Sequence, residues 1–455
     1  MAGIQGLTAI QIRKGLSAGK FTAVDVVESL LARIEAVDPQ LQAWVHVHRD
    51  GALADAEESQ RILESGSSIG LLHGVPIGLK DIIHSRGIPT TACSEVYETT
   101  VPSYDATAIG LLKGAGAIVL GKTVTTEFAW TDPPPTKNPW NADHTPGGSS
   151  SGSAVSVSTN MCPVALGTQT IGSVLRPASY NGVVGFKPTF GRVSRHGVVP
   201  FSRSLDTVGW MTRSVEDAAI LLQVMAGADP RDPVTSHLPT GDYLSELESG
   251  GPPRIGLLRG FFMDEADSET QEHVEGVAAK FAREGATIEE LFPPESLGSA
   301  LEDQRVIAIS EGAAVHQEVF EKHAARYRPL LRETLREGLS IKSVTYSQAQ
   351  ERRGHFCVDM QFLSERADIL LTPTTPSPAL PDLTNTGNAM FQGPWTSCGL
   401  PTITLPSGVA TSGLPLGIQL VASSFEEGRL FSAARWCEDV LDVSLSPPLG
   451  EIVSR

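Results

Sequence analysis

HTPGGSSSGSAVSVSTNMCPVALGTQTIGSVLRPASYNG, residues 144–182, packs serines and glycines into a stretch that is also apolar and rich in threonine. Three uses compete for such a stretch: a flexible linker, a phosphate cradle, or a catalytic loop with more than one working hydroxyl. A Gly/Ser linker is solvated and flanked by polar residues, whereas this loop runs into AVSVS and PVALGTQT, which read as buried. A Walker-type cradle ends in Gly-Lys-Ser/Thr, and no lysine occurs between Lys137 and Lys187. The catalytic reading is left, in two forms. In one, Gly148-Ser149-Ser150-Ser151-Gly152 satisfies GxSxG and makes Ser150 the nucleophile of an α/β-hydrolase esterase. That mechanism wants an acid and then a histidine late in the chain, yet the last histidine is His355 and no HGGG segment precedes the loop. The other form works through two serines and a lysine.

The flanking sequence alternates helix and strand signals. TAVDVVESLLARIEAVDP (22–39) reads as a helix, with Thr22 and Asp25 as a capping box, apolar residues at helical spacing and Pro39 as its stop. A second helix is expected over 51–64, and LLHGVPIGLKDII (71–83) suits a buried strand. TAIGLLKGAGAIVLGKT (107–123) reads as a helix to Gly114 followed by a strand from Ala117 to Leu120. Strands are expected in PPRIGLLRG, RADILLTPTTP, LPTITLPSG and GLPLGIQLVAS, with helices in SETQEHVEGVAAKFAREGA, capped by Ser268, and EEGRLFSAARWCEDVL. This alternation predicts an α/β fold: a single large domain with a central mixed β-sheet covered on both faces by α-helices. The expected divisions of the 1–455 unit are N-terminal helices at 1–65, a catalytic core at about 66–230, a helical covering region at about 265–365, and C-terminal strands and helix at 366–445.

Composition narrows the class. A chain of 455 residues with 41% hydrophobic content can bury a large core, and a formal charge of −17 disfavours direct contact with nucleic acid or an anionic membrane. Cys93, Cys162, Cys357, Cys398 and Cys437 show no metal-ligand spacing and read as reduced thiols. No basic-then-apolar leader opens the sequence and no run is long enough to span a bilayer, so the expected location is cytoplasmic.

Several separated motifs, LHGVPIGLKD (72–81), TPGGSSSGS (145–153), GTQTIGS (167–173), the run from Tyr180 to Ala219, ADILLTPTTP (367–376) and GLPTITLPSGVATSGLPLGIQL (399–420), occur in one order. Together they closely resemble the amidase signature family, over about residues 5 to 440. The resemblance implies that family's fold and a catalytic triad of lysine, a serine in a cis peptide and a nucleophilic serine. By motif these are Lys80, Ser149 and Ser173, the two serines lying twenty-four residues apart as in the family. It also implies an oxyanion hole from the backbone N–H groups of Thr170, Ile171, Gly172 and Ser173, and no metal or organic cofactor.

The chemistry suits these residue types. A serine hydroxyl needs a base, and lysine serves as one only when burial lowers its pKa; Leu79, Ile82 and Ile83 around Lys80 supply apolar surroundings. Ser149 would relay the proton, and Ser150, Ser151 and Ser153 would pack and hydrogen-bond. His144 is a rival base. Three positions depart from the family: Ile171 replaces a usual glycine and is expected at negative φ, narrowing the acyl pocket; Gln169 replaces a common aspartate; and Trp210 replaces a common proline. Arg176 either receives a substrate carboxylate or braces the loop, and Phe128, Trp130 and Trp395 are candidates to line an apolar entrance.

The expected activity is amidohydrolysis of small-molecule amides, with aryl amides, esters and carbamates such as urethanes as candidates. The partners expected are that small molecule alone, no nucleic acid and no membrane, with the chain a monomer or homodimer. The alternatives are the glutaminase (A) subunit of a tRNA-dependent amidotransferase, which needs a partner chain and an ammonia channel, the Ser150 esterase, and an idle scaffold.

Overall fold

A computed structural model describes residues 3–248 and 250–452; the ends of the expected 1–455 unit therefore lie outside the described residues. Eleven strands form one sheet: β1 (Trp44–Val47), β2 (Pro76–Lys80), β3 (Ile118–Thr123), β4 (Val164–Gln169), β5 (Val184–Lys187), β6 (Thr207–Thr212), β7 (Arg254–Leu258), β8 (Thr287–Leu291), β9 (Ile369–Pro373), β10 (Thr402–Val409) and β11 (Pro415–Val421). Their order is β1-β3-β2-β4-β6-β5-β10-β11-β9-β7-β8. β2 runs parallel to both β3 and β4, and β7 to both β8 and β9, while β4·β6, β5·β10 and β10·β11 are antiparallel. The sheet is therefore mixed, as expected. Every residue of β2, β3, β4, β5, β6, β9 and β11 is buried. Strands buried along their whole length require helices on both faces of the sheet.

Local sequence explains most boundaries. Thr22 and Asp25 close their capping box around a helix that spans Ala23–Leu41. Pro39 does not stop it. The helix runs on to Gln42, which turns left-handed (φ 53), and the Asp38 carboxylate accepts the N–H groups of Ala43 and Trp44 to lead the chain into β1. The helix Ser268–Arg283 is capped by Asp267, whose side chain accepts the Thr270 N–H, and not by Ser268, which is its first helical residue. Residues 297–365 are helical as expected, in Leu297–His323, Pro329–Ser340 and Ser343–Ser364.

Five strands lie outside the stretches expected as strands: β4, β5 and β6 fall within the catalytic core at about 66–230, β1 falls in the segment expected to be helical at 1–65, and β8 falls in the covering region at 265–365. β8 is an edge strand of sequence TIEEL, with three of its five residues exposed, so it lacks the apolar run that marks the central strands.

Candidate active site

Lys80 ends β2, and Thr168 and Gln169 end β4, its parallel neighbour. Crevices beyond the carboxyl ends of parallel strands are where α/β sheets place their sites, and the serine-glycine loop folds over this one. The Gly148–Ser149 peptide is cis. Gly147 has φ 76, and a Cβ there would stand 2.8 Å from the Pro177 Cα, so only glycine fits that corner.

Lys80 is fully buried. Its Nζ lies 2.7 Å from Ser149 Oγ, 3.0 Å from Thr168 Oγ1 and 3.4 Å from the Thr168 carbonyl oxygen. All three partners are neutral. The adjacent Asp81 is taken elsewhere: it accepts from the Thr91 N–H and hydroxyl and the Cys93 N–H, and lies 4.0 Å from Lys122 Nζ. Burial pushes the Lys80 amine well below its ordinary pKa, against the opposing pull of Asp206. An uncharged amine has two N–H donors, which the two Thr168 oxygens match, and one lone pair, which faces the Ser149 hydroxyl.

Ser173 stands on the next loop, tied to the first by the Ser150 N–H, which donates to the Ser173 carbonyl at 3.2 Å. No hydrogen bond joins the hydroxyls of Ser149 and Ser173 among the described residues, so Lys80 and Ser149 touch while Ser173 adjoins them. Among the described residues, the backbone N–H groups of Thr170, Ile171, Gly172 and Ser173 donate to no group of the chain. The next two, of Val174 and Leu175, both donate to Gln169 Oε1, at 2.9 and 3.1 Å. Four consecutive free donors beside a serine hydroxyl are what a developing oxyanion requires.

Sequence reasoning missed the residues that hold this loop. The Thr170 hydroxyl donates to Asp206 Oδ1 at 2.6 Å, and Asp206 Oδ2 accepts from the N–H groups of Phe201 and Ser202. Gln169 Nε2 donates to Thr396 Oγ1 at 2.9 Å, and that hydroxyl donates to the Ile171 carbonyl at 2.7 Å. Thr168 is the other partner of Lys80. A narrow cavity beside Thr168, Thr170 and Ala129 shares Arg195, Val198 and Asp206 with an outer groove of about 390 Å³.

The remaining site expectations meet different fates. Arg176 is buried and donates to the carbonyls of Gly387 (2.5 Å) and Gly148 (2.6 Å) and to the Thr386 hydroxyl (3.0 Å); burial brings its pKa down to about 10. Its hydrogen bonds go to the protein's own loops, which leaves it bracing the cis-peptide corner and not reaching for a carboxylate. Trp395 lines no entrance: it is fully buried and stacks on Phe262, with ring centroids 5.2 Å apart. Phe128 is buried too, edge-on to Tyr97 and His316 and stacked on Tyr327. Trp130 stacks on Phe201, which borders the narrow cavity, and its Nε1 donates to the Thr334 hydroxyl.

Ile171 avoids positive φ, as expected, and its side chain packs toward Gly393. Ser150 points into the sheet: its hydroxyl donates to the Thr168 carbonyl at 3.3 Å, which leaves the esterase reading without a nucleophile. His144 closes a turn with Asn141 and bonds to neither serine. Trp210 is buried on β6, its indole N–H donating to the Ala218 carbonyl. The five cysteines are free thiols; burial pushes those of Cys93 and Cys398 up to about 12 and that of Cys162 up to about 11. No helix among the described residues is long and apolar enough to cross a membrane.

The fold is that of the amidase-signature enzymes. The sequence matches the Amidase family over residues 25–431, and the chain belongs to that family. Its relatives include the glutamyl-tRNA(Gln) amidotransferase A subunit of Roseiflexus sp. (strain RS-1), 36% identical over 461 residues, covering 93% of this chain and 94% of the relative. The corresponding protein of Prochlorococcus marinus (strain MIT 9313) is 37% identical over 480 residues, covering 97% and 99%. Among solved structures, the native peptide amidase of Stenotrophomonas maltophilia superposes with a TM-score of 0.86 at 30% identity, covering 97% of this chain and 98% of that one. The two amidotransferase subunits overturn the expectation of a small-molecule amidohydrolase or urethanase. They equally overturn the expected partners, a small molecule alone and no nucleic acid, because both are matched over nearly their whole length and are named for a tRNA-linked transfer.

Proposed function

We propose that this chain is the A-type subunit of a tRNA-dependent amidotransferase, cytoplasmic, which frees ammonia from an amide donor such as glutamine for a partner chain to use. The observation that carries this reading is the match to proteins of that type over nearly their whole length and nearly all of this chain.

In this reading Ser173 Oγ attacks the donor's side-chain carbonyl. Its proton passes to Ser149 while the Ser149 proton passes to the neutral Lys80 amine. The C–O bond forms as the carbonyl π electrons move onto oxygen, held by the N–H groups of Thr170 to Ser173. Collapse breaks the C–N bond, and the proton returns through Ser149 to the departing nitrogen, giving ammonia and an acyl ester on Ser173. Water, deprotonated by the same relay, then cleaves the ester to release the carboxylic acid and restore the hydroxyl.

The test is to purify the chain with the other subunits encoded alongside it and supply glutamine and glutamyl-tRNA(Gln). Ammonia release from glutamine together with formation of glutaminyl-tRNA is expected. A chain that binds none of those subunits and releases no ammonia from glutamine in their presence would overturn the assignment.

A further inference from the structure

The loop bearing the nucleophile is bounded by one side chain at both ends. Gln169 Oε1 accepts the N–H groups of Val174 and Leu175, just after Ser173. Gln169 Nε2 donates to Thr396 Oγ1, and that hydroxyl's single proton has the Ile171 carbonyl, two residues before Ser173, at 2.7 Å, nearer than the Gln392 carbonyl at 3.4 Å. Around this circuit, Ile171 C=O, Thr396 O–H, Gln169 amide, and the N–H groups of Val174 and Leu175 close a ring about Gly172 and Ser173. Every member is buried or half-buried, so water does not compete for these bonds.

We propose that Gln169 and Thr396 act as one positioning clamp that sets the free N–H groups of residues 170–173 at the geometry an oxyanion needs. The inference rests on the assignment of Ser173 as nucleophile. The chemistry singles out an amide at position 169. A carboxylate could accept from Val174 and Leu175 but could not donate to Thr396. The Thr396 hydroxyl would then turn its proton toward the acid and leave the Ile171 carbonyl unheld. Thr396 arrives from the short helix Gly393–Ser397, so the clamp also joins the C-terminal part of the chain to the nucleophile loop.

Gln169→Glu and Thr396→Val are the diagnostic variants, because each keeps shape and opens the circuit. The readout is the rate at which a fluorophosphonate labels Ser173, located by peptide mapping; this probe needs neither the natural donor nor a partner chain. We expect each variant to label at least tenfold more slowly and Thr396→Ser, which keeps the hydroxyl, to label at the wild-type rate. The double variant should be no slower than the slower single one, since the two groups act through one circuit. With the amide donor, kcat should fall while KM stays within about threefold and the acid limb of the pH profile stays in place.

Wild-type labelling rates in a folded Thr396→Val protein, or multiplicative losses in the double variant, would overturn the clamp. Should Gln169→Glu fail to fold, the contrast between Thr396→Val and Thr396→Ser still decides. Labelling of wild type at Ser173 without glutamine hydrolysis would reject the proposed function and leave the clamp intact; labelling at another serine would reject both.

Discussion

Replacing Lys80 with methionine measures what it takes to keep an uncharged amine in the core. Methionine is similar in length, flexible and never charged. In the folded chain, burial holds the Lys80 pKa well below its ordinary 10.5; in the unfolded chain water restores it. At any pH between those two values the unfolded state carries one proton more than the folded state. Wild-type stability therefore rises with pH across that window, by about 1.4 kcal/mol per pH unit for one fully displaced group. Methionine contributes no such slope. The stability of Lys80→Met minus that of wild type should thus shrink by about 1.4 kcal/mol for each unit of pH between the folded-state and unfolded-state pKa values.

Lys122 and Lys187, each pulled down to about 8 by burial, titrate alike in both proteins and cancel in the difference. The oxygens of Ser149 and Thr168 that lose Nζ shift the difference by a constant of about 1–3 kcal/mol without changing its slope. Urea denaturation at several pH values, with two-state behaviour checked by two probes, supplies the numbers. A difference that stays flat with pH would show that the folded chain keeps Lys80 charged, and the proton relay through a neutral amine would have to be abandoned.

The same displaced pKa gives the rate profile its sign: kcat/KM should fall tenfold per unit as pH drops below the Lys80 pKa, because a protonated amine cannot accept from Ser149. Ser150→Ala should keep most of the turnover and lose about 1 kcal/mol of stability, whereas Ser149→Ala should abolish turnover in steady-state assays. Arg176→Met strips hydrogen bonds from Gly148, Gly387 and Thr386 and should cost about 3 kcal/mol in denaturant titrations. Arg176→Lys should not restore that loss, since one ammonium cannot span both carbonyls. Phe128→Ala, which empties an aromatic cluster with Tyr97, His316 and Tyr327, should cost about 3–5 kcal/mol.

What can be read from the sequence follows the range of the forces involved. The capping box of Thr22 and Asp25, the long apolar strands and the helices of 297–365 are legible because each is decided by residues within a turn or two of one another. β8 is not, since an edge strand needs no apolar run and its pairing with β7 is a tertiary fact. The lysine and the two serines are legible only as spaced motifs; Thr168 and Asp206 lie inside two of those motifs, yet nothing in them says that one holds the amine and the other the loop. Gln169 stands out as a departure, but its partner lies 227 positions further on. Arg176 illustrates the limit most directly: a guanidinium suits a carboxylate and a pair of carbonyls equally well, and only the positions of Gly148 and Gly387 choose between them.

The misread substrate has the same origin. In the proposed mechanism Lys80, Ser149, Ser173 and the four N–H groups handle a proton and an oxyanion, tasks that every amide presents alike. Nothing in those motifs distinguishes one acyl group from another. The covering helices reach the segments around the site singly: Gln304 contacts the Thr170 carbonyl, Glu311 takes the hydroxyls of Ser202 and Ser204, His316 meets Phe128 and Thr334 receives the Trp130 indole. These side chains sit at positions with no spacing rule, on helices whose sequence is set by packing. A reading confined to the serine-glycine loop and its lysine therefore reaches the bond that is broken and stops short of the molecule that carries it.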